Sequence, residues 1–70
     1  MNGSEIEKVI LKTLREQKGP ISTYELTKRV GVSWATVNTH CYKLMASGLV
    51  EGKLKVSLSG KKMFWWVKGK

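Results

Sequence analysis

Hydrophobic positions along the chain change their period once. Up to about residue 46 they recur at helical spacing, and from Leu49 they recur every second residue. Ile6, Val9, Ile10 and Leu14 make the first apolar stripe, between polar Lys8, Lys12, Arg15 and Glu16. Leu11 falls outside that stripe and leaves a second apolar patch. Ser4 and Glu7 have capping-box spacing and predict the start of this helix, which Lys18-Gly19-Pro20 ends. Ile21 is then free to form a short extended segment.

Ser22 and Glu25 repeat the capping spacing and predict a second helix over Thr23 to Val30. Leu26 and Val30 form its buried face, with Tyr24 a candidate beside them. Gly31 allows a left-handed corner, Val32 plugs it, and Ser33 caps a third helix over Trp34 to Ala46. That helix is expected to bury Val37, Cys41 and Leu44, with Met45 a further candidate, and to end at Ser47-Gly48. Leu54 and Val56 then alternate with Lys53, Lys55 and Ser57, which predicts a half-buried strand. Residues 57–61 hold a turn, and Lys62 to Val67 make the return strand. The reading is α+β: three helices, one short strand and a two-stranded C-terminal hairpin, in a single domain over 1–70 with its folded core at about 5–68.

Seventy residues leave no room for both a core and a deep catalytic cleft. The chain has no Asp and one His, and capping or surface charge accounts for Glu5, Glu7, Glu16 and Glu25, so an enzyme is not expected. His40 and Cys41 are adjacent on one helix and lack a second Cys or His, so neither a metal nor another cofactor is expected. Cys41 reads as a small buried hydrophobe, and His40 as packing on the hairpin or the second helix. No apolar run nears the roughly 18 residues of a membrane span. With one cysteine and no secretion-signal pattern, the expected location is the cytoplasm.

Charge sharpens the picture. The net charge is +8, and residues 31–70 carry seven Lys against one Glu. An excess in the half that holds the third helix and the hairpin points to a polyanionic partner.

The segments Gly19-Pro20-Ile21-Ser22-Thr23-Tyr24-Glu25-Leu26, Gly31-Val32-Ser33-Trp34-Ala35-Thr36-Val37 and Lys43-Leu44-Met45-Ala46-Ser47-Gly48-Leu49-Val50-Glu51 resemble the winged helix-turn-helix family. They look most like small bacterial and archaeal transcription regulators, including the arsenic-repressor and multiple-antibiotic-resistance groups. The resemblance spans roughly residues 5–68. It implies a double-stranded DNA-binding, nucleoid-associated regulator with its third helix in the major groove and its wing on the backbone or minor groove. Members of those groups usually add a dimerisation helix or an effector site. Neither is seen here, so a bare DNA-binding module with no small-molecule effector is expected.

The candidate contacts on the third helix are Ser33, Trp34, Ala35, Thr36, Asn38, Thr39, Tyr42 and Lys43. Asn38 can pair with adenine at two points, or be a solvated or phosphate-contacting residue. Thr36 and Thr39 suit phosphates or a thymine methyl. Ser33 is first a cap. Trp34 fits two roles: packing on sugar and thymine methyls, or folding back over Val32. Tyr42 and Lys43 suit the DNA backbone. The wing offers Lys53, Lys55, Lys61 and Lys62, with Lys61 and Lys62 favoured, although lysines on edge strands also block aggregation.

Alternation puts Met63, Trp65 and Val67 on one face of the return strand, and Phe64 and Trp66 on the other. One aromatic face is thus left to be covered by the first helix, by the tail, or by a second copy. A homodimer is the sharper expectation. The other functional readings are a protein-docking module, a chromatin-type protein with little sequence preference, and an RNA-binding winged helix, since charge does not separate the two polymers.

Overall fold

The computed structural model describes residues 3–69. In chain order the elements are α1 (Gly3–Glu16), β1 (Ile21–Ser22), α2 (Thr23–Val30), α3 (Trp34–Ala46), β2 (Val50–Ser57) and β3 (Gly60–Val67). The three strands form one antiparallel sheet in the order β1-β3-β2, with the helices packed on one face.

The α2–α3 corner forms as its residues demand. The Ser22 hydroxyl accepts from the Glu25 amide at 3.0 Å, and Ser33 does the same for Thr36 at 3.2 Å. Gly31 takes φ 82°, where a side chain would strain the backbone, and its amide donates to the Thr27 carbonyl at 2.8 Å. Val32 rests half-buried against the core.

Trp65 is the centre of that core. It is fully buried, with Ile21 and Gly52 as its cross-strand neighbours. Its ring lies so close to Gly52 that a Cβ there would come within 2.6 Å of Trp65 Cζ3. Tyr42 packs on it in a T-shaped pair, with ring centroids 5.0 Å apart and planes at 89°. Its indole N–H donates to the Thr23 hydroxyl at 2.8 Å, so the one polar atom of the ring is satisfied. Ile6, Ile10, Leu14, Leu26, Val37, Cys41, Leu44 and Val50 complete the buried cluster, and Leu11 packs at its edge instead of forming a separate patch.

Several sequence expectations change. Helix α1 already includes Gly3 and Ser4, so Ser4 is not its cap; the Glu7 carboxylate instead meets His40 Nδ1 at 2.7 Å. His40 therefore packs on α1, not on the hairpin or α2. The Glu25 carboxylate reaches forward to Arg29 at 3.4 Å. Tyr24 and Met45 are exposed, and the side chain buried at the head of α2 is Thr23. The turn is tighter than expected: Ser57 pairs with Gly60, so Lys61 lies within β3. Leu54 and Val56 are 52% and 68% exposed, because the hairpin runs out past the helices that would have covered them. Leu49 precedes β2 and is also exposed.

Cys41 is sealed between the helices, and burial pushes its thiol from 9.0 up to about 12. The thiolate is the reactive form, so the folded protein is expected to resist iodoacetamide at pH 8 and to be labelled rapidly in denaturant. Fast labelling of the folded chain would show that this core opens readily.

Candidate nucleic-acid interface

Helix α3 buries Val37, Cys41 and Leu44, so its opposite face is centred on Ala35, Thr39, Tyr42 and Ala46 at helical spacing. All four are exposed. Lys43 is exposed beside them. Asn38 stands one turn before Tyr42 and is half-buried on the flank that leans toward the sheet. Among the described residues no hydrogen bond occupies its amide. Ser33 and Thr36 share a hydroxyl contact of 2.8 Å, so the cap uses both. Trp34 is 56% exposed, which leaves most of its surface open to a partner.

The register of the hairpin sorts the wing lysines. Residues paired across β2 and β3 share a face. Lys61 pairs with Val56 and lies on the face that carries the helices, together with Leu54 and Met63. Lys53, Lys55 and Lys62 lie on the outer face with Phe64 and Trp66. Lys55 stands directly opposite Lys62, an arrangement that costs stability unless a counter-charge is supplied. No acidic residue follows Glu51, and the Glu51 carboxylate accepts from the Trp66 indole at 2.9 Å.

The outer aromatic face is therefore less bare than alternation alone implies. Phe64 and Trp66 are half-buried, the first beneath the Lys55 ammonium at 5.2 Å and the second beside Glu51. The same chain supplies part of the cover that the sequence left open.

Helix α2 adds residues that sequence reading passed over. Lys28 Nζ sits 4.5 Å from the centre of the exposed Tyr24 ring. In a helix-turn-helix the first helix of the pair crosses the DNA backbone, which makes this pair a candidate for phosphate contact. The i, i+4 spacing of Tyr24 and Lys28 was the available signal. Among the described residues no three His, Cys, Asp or Glu side chains gather to hold a metal, and no helix is long and apolar enough to cross a membrane.

Known proteins match this geometry. A solved HOP2 structure, described as giving insight into DNA recognition, protein interaction and homologous DNA pairing, superposes with a TM-score of 0.74 at 24% identity. The alignment covers 90% of this chain and 98% of that one, and at this identity it bears on fold alone. No curated protein sequence matches the chain. A family profile described as winged helix-turn-helix DNA-binding matches residues 4–51, more than half of the chain. The protein belongs to the winged helix-turn-helix DNA-binding family.

Proposed function

We propose that the protein binds double-stranded DNA and acts as a transcriptional regulator, with the amino end of α3 in the major groove and the wing along the backbone or minor groove. One observation carries this reading. The capped start of α3 stands open beside a lysine-rich hairpin with no acid beyond Glu51, and the Tyr42–Trp65 contact holds the two together. Asn38 is the base reader, through its unoccupied amide. Trp34 packs on sugar and thymine methyls. Thr36, Thr39, Tyr42, Lys43 and the wing lysines contact phosphate and set orientation, with Ser33 fixing the helix start. The protein works inside the cell, on the nucleoid.

A second reading, weakly selective binding to any duplex, is favoured by the centre of the α3 face. Ala35 and Ala46 offer bases no hydrogen-bonding side-chain atom, and Asn38 is set to one flank. HOP2, which shares the fold, is described by homologous DNA pairing, a task compatible with modest sequence preference.

Two copies on a palindromic site, with reading helices about 34–36 Å apart, would follow from an open Phe64–Trp66 face. Lys55 and Glu51 partly occupy that face, which weakens the case. Light scattering distinguishes one copy from two.

A mobility-shift titration with random duplexes, candidate operators and RNA tests the reading. We expect duplex binding at low salt, with Asn38→Ala relaxing sequence preference by about 1–3 kcal/mol at one position. No duplex binding at low salt rejects the function. Equal affinity for every duplex selects the weakly selective reading.

A further inference from the structure

Leu58 sits at the tip of the wing, fully exposed at 110% relative accessibility. Nothing in the folded chain gains from it. A turn position ordinarily takes Gly, Asn, Asp or Ser, and a leucine there only adds apolar surface to water. Two more exposed apolar residues, Leu54 and Val56, stand behind it on the helix-side face of the same hairpin. The tip is also braced. The Ser57 hydroxyl contacts that of Ser59 at 2.9 Å and lies 3.3 Å from the Gly60 carbonyl.

We propose that Leu58 is a wedge that enters the minor groove, partly unstacks one base step and bends the duplex. The proposal rests on the duplex-binding reading above. Charge selects DNA over a second copy as the occupant. Lysines leave both faces of the hairpin just behind the tip, Lys61 from one and Lys55 and Lys62 from the other. A minor groove has a phosphate wall on each side, and the two faces of the hairpin match those walls. Two wings meeting tip to tip would instead crowd six lysines with no acid between them.

Apolar side chains inserted in this way bend DNA by about 20–90°. Pyrimidine–purine steps unstack most easily, so the wedge favours a TA or CA step at the wing position. This adds to the base reading by Asn38, since the alanines at the centre of the α3 face offer bases no hydrogen-bonding side-chain atom. The preference is read through deformability, without a hydrogen bond to a base edge.

The test uses end-labelled duplexes for resonance energy transfer, with 2-aminopurine placed at a TA step. The wild-type protein is expected to shorten the end-to-end distance and to raise 2-aminopurine emission. Leu58→Ser should bind the same duplex, because the lysines supply most of the affinity, yet leave it straight and stacked. Leu58→Phe should preserve the bend. Leu58 is fully exposed, so each variant is expected to keep the wild-type far-ultraviolet circular dichroism. If the wild type binds duplex without distorting it, or Leu58→Ser distorts it equally, the wedge is wrong and the DNA-binding reading survives. Absence of all duplex binding overturns both. A dimer by light scattering that Leu58→Ser splits also overturns the wedge, because the tip would then belong to a second copy.

Discussion

Replacing Trp65 with Ala is expected to leave the chain largely unfolded at 37 °C. A domain of seventy residues has roughly 4–10 kcal/mol of stability in total. Removing a buried tryptophan costs about 3–5 kcal/mol through lost transfer free energy and the cavity left behind. Here the loss spreads further, because Trp65 touches α3 through Tyr42, α2 through Thr23 and β2 through Gly52. Trp65→Phe keeps most of the apolar body and removes the indole donor to Thr23, so it should cost less. Gly52→Ala tests the same packing from the other side. Its Cβ would press on Met63 Cε, which can swing away, and on the Trp65 ring, which cannot, at an expected cost of about 1–3 kcal/mol. Urea titrations followed by far-ultraviolet circular dichroism give all three values. A Trp65→Ala variant as stable as the wild type would mean that the core is organised around other residues.

Salt should weaken duplex binding steeply. If four to six lysines meet phosphate, log affinity falls against log salt with a slope of about −4 to −5, or roughly 250- to 1,000-fold between 50 and 200 mM. The facing pair Lys55 and Lys62 then gives a test that separates binding from folding. Lys62→Thr removes the like-charge opposition and should raise stability by about 0.2–1 kcal/mol. It should also make the salt slope shallower by about 0.9 and weaken every duplex alike. Opposite signs for stability and affinity are what a residue kept for a polyanion produces. A Lys62→Thr variant whose salt slope is unchanged removes this lysine from the contact set. If Lys61→Ala leaves the slope unchanged as well, the docking-module reading gains ground.

Helices and the corner were legible in the sequence because local chemistry decides them. Ser22, Gly31 and Ser33 act on neighbours within four residues, so spacing alone placed α2 and α3. Trp65 and Met63 were assigned to one face of β3, and Phe64 and Trp66 to the other, because strand alternation is equally local. Leu54 and Val56 misled the reading for a definite reason. Alternation shows which side chains share a face, but it does not show how far the helices extend over that face. His40 and Glu7 lie 33 positions apart, and nothing in either neighbourhood announces the pairing. Their conventional local roles, a capping carboxylate and a hairpin-facing ring, were displaced by a tertiary contact. In the candidate interface, the exposed side of α3 followed from helical geometry. The division of the wing lysines between two faces needed the strand register, which the tight turn at Leu58-Ser59 sets.

That register also governs how such a wing can change over evolutionary time. Strand β1 is only two residues long and pairs with Phe64 and Trp65, so the body of the protein grips β3 at its inner end. Beyond Met63 the hairpin answers only to itself. One extra residue on each strand moves the tip outward by a rung and carries every outer side chain to the opposite face, exchanging the sides of Lys61 and Lys62. Two on each strand lengthen the reach and restore both faces. Wings of related proteins should therefore differ mostly by whole two-rung steps, with the tip chemistry preserved and the core left unaware of the change.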